Sequence, residues 1–359
     1  MALAPADVLT FGETMGSLRS TGLIRDGGRM DLSLAGAETN VAIGLARLGH
    51  SVRWVGRVGD DELGQLARRT LRAENVLADL VAVDHSRPTG LMLLEPRIAD
   101  VSRVNYYRAG SAGSALSVRD LDPAFEAVPR LVHLTGITPA LSTSAAEATV
   151  WAASRARSLG AVVSFDVNYR GKLWSREDAR KVLGELAGLA DIVIASEDEL
   201  DLVSGPAPTG ASQAAALPGA GHAADALSDA GHPPDALPGA DQPADALAKA
   251  EAEAVASLSE RGVAEVVIKR GARGATAWSD GRAYNVPAHP VRVLDTVGAG
   301  DAFTAGYLSA LLDGGDVEAK LERAAVLGAF AVSRPGDWAG LPFREDLQLL
   351  QHEPGATLR

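Results

Sequence analysis

The sequence contains no cysteine and few aromatic residues. Aromatic side chains make up only 4% of its 359 residues. Without cysteine, disulfide bonds and thiolate metal sites are excluded. The scarcity of aromatic residues, together with 38 glycines and many alanines, favours thin, closely packed helices on a sheet over a β-sandwich.

The sequence has fewer basic than acidic residues, 34 against 46, which gives a formal net charge of −12. Nucleic acids and anionic membranes reward basic patches, so neither is an expected partner. An anionic substrate would have to be bound by local arginines. The stretch "MALAPADVLTFGE" lacks the basic and apolar segments of a secretory signal, and no apolar run approaches the roughly 20 residues of a membrane span. We therefore expect a cytoplasmic protein.

What the sequence does contain is a regular alternation of strand and helix patterns. From residue 131, apolar strands such as "RLVHLTG", "GAVVSFD" and "DIVIAS" alternate with helical patterns over 142–159 and 175–190. Such alternation predicts a mostly parallel sheet covered by helices on both faces. Apolar residues, at 47%, suffice for a large core. Residues 81–110 instead contain short strand patterns, which indicate a small β-rich lid.

One segment interrupts this pattern. From 205 to 250 the chain is rich in Ala, Gly, Pro and Asp, and it repeats every ten residues as "GHAADALSDA", "GHPPDALPGA" and "DQPADALAKA". The prolines and glycines prevent a continuous helix, and one Leu per unit cannot build a core. We predict a disordered low-complexity insertion; an interaction arm is the alternative.

The stretch "LDTVGAGDAF" places an acid where a glycine turn meets a helical pattern. Gly298, Ala299 and Gly300 would present backbone N–H groups at the positive end of a helix dipole, which suits a phosphate. Asp301 beside that pocket could accept the proton of an attacking hydroxyl in phosphoryl transfer. Taken alone, Asp301 could equally be an ordinary N-cap. Neither a P-loop nor a G-x-G-x-x-G motif is present.

Two stretches resemble the two signature motifs of the ribokinase-like (PfkB) carbohydrate kinases, and they occur in the same order along the chain. "DTVGAGDAFTAGYLSAL" is similar to that family's C-terminal signature and "LAGAETNVAIGLARLG" to its N-terminal one, with "GRVGDDELGQ" and "IKRGARGA" between them. The resemblance implies a single domain over 1–359 with a three-layer α/β/α ribokinase-like fold, a mostly parallel central sheet and a small β-sheet lid from about 14–35 and 88–110. It also implies ATP and Mg²⁺ as cofactors.

The resemblance assigns roles by position. Asp301 would be the general base, and the backbone of Gly298, Ala299 and Gly300 the anion hole. The residues expected along the nucleotide or its phosphates are Ser196, Asn168, Lys269, Gly271, Gly298 and Gly300. Glu199 would order the waters of Mg²⁺. Asp295 and the "SRPG" loop (333–336) would hold a monovalent cation such as K⁺. The family commonly has Asn where Ser196 stands, which leaves that contact open.

The substrate is expected to be a sugar acid. "VNYYRAGSAGSAL" and "FDVNYRGKLWS" resemble the 2-keto-3-deoxygluconate kinase branch. A guanidinium can bind a carboxylate bidentately. By this resemblance Tyr106, Arg108 and Arg170 would hold the acid end, while Gly36 and Asn40 would contact hydroxyls. Alone, the Tyr-Tyr-Arg and Asn-Tyr-Arg stretches could be packing and a turn. Related kinases often have an aromatic residue near Met92.

Three alternatives remain open at this point. The chain could be a neutral-sugar kinase of the fructokinase or ribokinase type, which has no need of Arg108 and Arg170. It could be a sugar- or nucleotide-binding regulator without catalysis, although the intact Asp301 argues against that. It could act as a scaffold through residues 205–250. A homo-oligomer, joined as a dimer through the lid, is also expected because exposed sheet edges favour pairing.

Overall fold

The computed structural model describes residues 3–98, 101–205 and 244–351. Two sheets organise the molecule. The strands of the central nine-stranded sheet are β1 (Val8–Gly12), β4 (Val52–Gly59), β5 (Val81–Asp84), β8 (Leu131–Thr135), β9 (Val162–Asp166), β10 (Ile192–Ser196), β11 (Glu265–Lys269), β12 (Ala275–Ser279) and β13 (Arg282–Val286). The strands of a separate small sheet are β2 (Met15–Ser20), β3 (Met30–Ala35), β6 (Gly90–Ile98) and β7 (Val101–Tyr107).

Helices connect these strands. They are α1 (Ala37–Arg47), α2 (Glu62–Ala73), α3 (Val118–Leu121), α4 (Thr143–Ser158), α5 (Arg176–Ala187), α6 (Ala244–Glu260), α7 (Ala299–Leu312) and α8 (Val317–Val332). Short 3₁₀ segments cover Ile24–Asp26, Gly113–Ala115, Asp122–Phe125, Thr138–Ala140, Glu197–Leu202, Gly271–Arg273 and Arg344–Gln351. Within the described ranges, we find no helix that combines the length and apolar character needed to span a bilayer.

The central sheet has the strand order β13-β12-β11-β10-β9-β8-β1-β4-β5, and its pairs are parallel from β5 to β11. Strand β8 is buried along its whole length, as expected for a strand covered on both faces. At one edge β12 and β13 form an antiparallel hairpin. Its turn residues Asp280 and Gly281 have φ of 49° and 72°, the positive values that a two-residue Asp-Gly hairpin turn requires.

Helices cover both faces of this sheet, which confirms the three-layer prediction. Alanines and leucines of α4, α5 and α6 pack against one face together with Phe165. Helices α1, α7 and α8 pack against the other face around Trp54. The small side chains at these contacts allow close approach, so few aromatic residues are needed to fill the core.

The small sheet has the order β3-β2-β6-β7 and lies within the two segments predicted to form the lid. Alternate residues of its strands face opposite ways. Met15, Met92, Val104 and Tyr106 share the face toward a cleft between the two sheets. The other face carries the exposed side chain of Leu32.

The predicted low-complexity insertion ends earlier than expected. Residues 206–243, which carry most of the repeat, lie outside the described residues. Helix α6 begins at Ala244, inside the predicted 205–250 segment, and runs on to Glu260. The last repeat unit therefore contributes to a helix because its Ala-Lys-Ala-Glu continuation has high helix propensity.

Helix α7 carries the glycine-rich stretch, and its packing against α8 depends on Gly306. A Cβ at Gly306 would lie 2.6 Å from the Arg323 carbonyl oxygen, whereas a Cβ at Gly328 of α8 would meet nothing within 4 Å. We expect Gly306→Ala to lower the free energy of unfolding by about 1–3 kcal/mol. The matched Gly328→Ala should raise it by about 0.5–1 kcal/mol. Denaturant unfolding of both variants checks this, and equal effects would contradict it.

Candidate active site

A cleft of about 1400 Å³ lies between the small sheet and the carboxyl ends of the parallel strands. Ligands of open α/β sheets bind outside these strand ends. All of the predicted site residues except Ala299 and Asp295 line this cleft. The structure thus brings together residues that the sequence places far apart.

The glycine-rich stretch forms the start of α7. Gly298 is the N-cap, with φ of 76°, and a Cβ there would lie 2.0 Å from the Asp337 carbonyl oxygen. Only glycine satisfies both constraints. Asp301 lies in the first turn of the helix and is not its N-cap, so the ordinary capping role considered for Asp301 is wrong. The Ala299 N–H donates to the Thr296 carbonyl oxygen at 3.3 Å, so an anion would be bound by the N–H groups that follow it in the first turn of α7.

Asp301 is held at the cleft by two amides. Asn40 donates from Nδ2 to Oδ2 at 2.8 Å, and Asn168, whose φ is 39°, donates from Nδ2 to Oδ1 at 3.4 Å. Burial raises the pKa of Asp301 to about 6, and Asp166 adds to this rise. The hydrogen bond from Asn40 and the positive charge of Arg170 oppose it. The carboxylate is therefore ionised at neutral pH but keeps an unusual affinity for a proton.

Lys269 forms a buried ion pair with Asp166 below Asp301. Its Nζ lies 2.9 and 2.8 Å from the two carboxylate oxygens, and Thr304 also donates to Oδ2 at 2.9 Å. Burial alone would lower the pKa of Lys269, but Asp166 and Glu199 outweigh it and the pKa is raised. The ammonium lies 3.5 Å from where a Cβ of Gly300 would be. A permanent positive charge thus borders the glycine turn.

Glu199 organises the loop after β10. Its Oε1 accepts the Tyr169 backbone N–H at 2.7 Å, and its Oε2 accepts that of Ser196 at 2.7 Å. Burial raises its pKa. Each oxygen keeps a further lone pair, so the predicted contact with metal-bound water stays a prediction. Gly271, with φ of 57°, starts the turn after β11 at the same end of the cleft.

At the opposite end of the cleft, Arg108 is already paired. Its Nε and Nη2 lie 2.7 and 2.5 Å from Glu13 Oε2, and Ser111 donates to the other oxygen of Glu13. Its guanidinium stands 5.5 Å from the ring centroid of Tyr106. Arg170, in contrast, is exposed and forms no ion pair with any residue that the structure describes. Arg170 is therefore the cationic side chain with most capacity for an added carboxylate.

Gly36 and Asn40 lie where a sugar hydroxyl could reach them. Gly36 is the N-cap of α1, and a Cβ there would lie 2.5 Å from the Glu13 carbonyl oxygen. Only glycine therefore fits at this position. Asn40 donates to Asp301 and keeps its buried Oδ1 without a hydrogen-bond partner among the described residues. A hydroxyl group could donate to that oxygen.

Several acidic residues that line the cleft were not identified from the sequence. Glu13 follows β1, and Glu38 lies in the first turn of α1, where the Thr135 and Thr138 hydroxyls each donate to Oε1 at 2.6 Å. Asp337 follows the predicted "SRPG" loop, and burial raises its pKa to about 7. The position of Glu13 just beyond a strand's carboxyl end was the one available signal.

Asp295 joins two loops. Its Oδ1 accepts the Val297 N–H at 3.1 Å and its Oδ2 the Gly336 N–H at 3.0 Å. Arg19 of β2 places Nη2 2.6 Å from the same Oδ2. Among the described residues, no group of three or more His, Asp or Glu side chains is arranged to hold a metal ion. A divalent ion at this cleft would take most of its ligands from phosphate and water, as Mg²⁺ commonly does.

The chain is similar to known proteins along nearly all of its length. Residues 6–227 and 219–344 match the family described as pfkB family carbohydrate kinase. A 2-dehydro-3-deoxygluconokinase of Bacillus subtilis is 32% identical, with 95% of this chain and 94% of the relative covered. A fructokinase of Klebsiella pneumoniae is 30% identical, with 91% and 94% covered. The crystal structure of a Thermotoga maritima 2-dehydro-3-deoxygluconokinase has a TM-score of 0.77 and 26% identity, with 97% and 98% covered.

The raised pKa of Asp301 predicts a cost in stability. In the unfolded chain its pKa is 3.8 and in the folded chain about 6, so folding is penalised once pH exceeds 3.8, and fully above 6. Asp301→Asn should raise the Tm at pH 8, by about 1–2 °C for each kcal/mol recovered. The gain should fade between pH 6 and 4. Asp280→Asn, in the exposed hairpin turn, is the control, and an equal gain at both pH values would disprove the burial penalty.

Proposed function

Because the chain belongs to the pfkB family of carbohydrate kinases, we propose that it phosphorylates 2-keto-3-deoxygluconate with ATP, giving the 6-phosphate. The supporting observation is a buried carboxylate, Asp301, at a helix N-terminus, in a cleft that is also lined by Arg170. The relatives named 2-dehydro-3-deoxygluconokinase act on this same compound under its other name. We propose ATP as the phosphoryl donor and the cytoplasm as the compartment of the reaction.

In the proposed reaction Asp301 accepts the proton of the primary hydroxyl on carbon 6. The oxygen forms a bond to the γ-phosphorus while the bond from that phosphorus to the β,γ-bridging oxygen breaks, and ADP leaves. The N–H groups at 298–300 stabilise charge on the transferred phosphoryl group. A base with a pKa of about 6 is ionised at neutral pH and still accepts a proton readily.

The nucleotide phosphates are proposed to lie between Lys269 and the glycine turn. Lys269 borders Gly300 and adds a positive charge there. Mg²⁺ would neutralise the phosphates when bound; Glu199 lines this end of the cleft, and Asp166 lies buried behind it in its ion pair with Lys269. One or two carboxylates besides phosphates and waters are a usual Mg²⁺ environment, so these residues fit the ion. Ser196 and Gly271 would border the nucleotide.

The sugar acid is proposed to place its carboxylate at Arg170. Arg108 contacts the ring of Tyr106 and balances the charge of Glu13 in an ion pair. We therefore propose that it positions the residues around the substrate carboxylate and does not bind that carboxylate itself. A neutral-sugar kinase remains the second candidate, because fructokinases are also about as similar to this chain. Such an enzyme would leave Arg170 without a role in substrate binding.

A panel of sugars and sugar acids separates the two candidates. With ATP and Mg²⁺, we expect turnover of 2-keto-3-deoxygluconate at a kcat/KM at least about 100-fold above that for fructose or ribose, because a site with an unused cation rejects uncharged sugars. Arg170→Ala should raise the KM for the acid about tenfold or more and leave the KM for ATP nearly unchanged. ADP release in a coupled assay measures both.

Two variants serve as controls for this panel. Arg282→Ala removes an exposed arginine on the edge strand β13 and should change neither KM. Asp301→Asn should lower kcat by about 10²–10⁴-fold, since it removes the base. Comparable use of fructose or ribose by the unaltered enzyme would refute the acid substrate, and near-normal turnover by Asp301→Asn would refute the base.

We also infer a dimer formed through the outer face of the small sheet. Leu32 and Tyr107 on that face are 51% and 61% exposed, and Ile98 and Val101 at its end are 75% and 61% exposed. Exposed apolar patches on a sheet often mark an interface. Covering them with a second copy would also shield the sheet's edge strands.

A charge placed on this face should split the dimer. We expect Leu32→Asp to shift the mass measured by light scattering after size exclusion from that of two chains to that of one. Val128→Asp is the matched control, because Val128 is 51% exposed but lies outside both sheets. A monomeric unaltered protein, or a dimer that persists in Leu32→Asp, would contradict this assembly.

A further inference from the structure

The loop that carries Asp295 concentrates negative charge. Asp295 and Asp337 are only 8% and 6% exposed, and Asp301 follows in the next helix turn. Asp337 Oδ2 is buried without a hydrogen-bond partner among the described residues. Carboxylates removed from water are costly unless a positive charge accompanies them. A positive charge near this loop would therefore stabilise it.

The chain supplies that cation from the small sheet. Arg19 lies on β2 two positions beyond Ser17 and four beyond Met15, so it shares the face that Met15 turns toward the cleft. Its Nη2 reaches Asp295 Oδ2 at 2.6 Å, and its side chain is 25% exposed. The guanidinium also acts on Asp337, since its charge lowers the pKa of that carboxyl against the effect of burial.

A monovalent ion, expected at Asp295 and the loop 333–336, does not fit this arrangement. Asp295 Oδ1 accepts the Val297 N–H and Oδ2 accepts the Gly336 N–H, while Arg19 Nη2 lies 2.6 Å from the same Oδ2 as an ion pair. An ion at Oδ2 would share that oxygen with Arg19 and place two positive charges side by side. Like charges at contact distance repel strongly where water is scarce.

We propose that Arg19 is the built-in cation of this loop, so that the enzyme works without a monovalent metal ion. The inference rests on the proposed kinase function for its activity assay only. Asp295 ties the segment before Gly298 to Gly336, and Gly298 packs against the Asp337 carbonyl oxygen. Charge compensation at Asp295 therefore keeps the glycine turn in the shape that presents its N–H groups to the phosphoryl group.

Turnover in KCl and in tetramethylammonium chloride at equal ionic strength tests the proposal. We expect the unaltered enzyme to differ less than about twofold between the salts. Arg19→Ala should lose activity in tetramethylammonium chloride and regain about tenfold in KCl, within the usual range for coupled sites. Arg19→Lys keeps a fixed charge and should stay independent of K⁺. Arg29→Ala, which lies just before β3 and forms an ion pair with exposed Asp31, is the control.

A second measurement does not need the reaction. K⁺ should raise the Tm of Arg19→Ala above that in tetramethylammonium chloride, and it should not do so for the unaltered protein or for Arg19→Lys. A K⁺ requirement in the unaltered enzyme would overturn the proposal. So would an Arg19→Ala protein that folds, is fully active and ignores K⁺. If no sugar is phosphorylated, the kinase function fails, and the Tm comparison still decides the role of Arg19.

Discussion

The buried ion pair between Lys269 and Asp166 is the interaction on which the site depends. It joins the ends of β9 and β11 below α7, and Thr304 adds a bond from that helix. An ion pair this deep is costly to form and more costly to break on one side. Its position fixes the start of α7 against the sheet. Asp301 is thereby held beside a carboxylate and an ammonium that already satisfy each other, which leaves its own charge only partly compensated.

Other carboxylates around the cleft of this acidic chain are also paired with positive charges or hydrogen-bond donors. Several acids in or beside the cleft have a partner: Glu13 has Arg108, Asp295 has Arg19, and Glu38 has two threonine hydroxyls. Pairing removes the repulsion that anionic ligands would otherwise meet. Arg170 is left as a cation without an acidic partner in the described part of the chain. Among the described residues, the cleft therefore contains an unpaired positive charge although the protein as a whole carries a charge of −12.

The sequence predicted the fold better than it predicted the pairs within the site. Strand and helix periods and the glycine turn are local signals, so the three layers, the hairpin at Asp280 and the start of α7 could be found from them. The contacts of Arg108 with Glu13 and of Arg19 with Asp295 join residues far apart in the chain, and each member alone resembles an ordinary surface charge. No local pattern encodes such a pair. Residues 206–243 lie outside the described residues, so the prediction for them stays untested.

The location of Arg19 links charge compensation to the small sheet. Since Asp295 receives its guanidinium from β2, any movement of that sheet away from the cleft would separate the pair and leave the acids of the loop uncompensated. A free metal ion would not impose this dependence. The chain therefore couples the position of its lid sheet to the electrostatics of the glycine turn, so the turn is best stabilised when the sheet lies over the cleft and water is largely excluded from it.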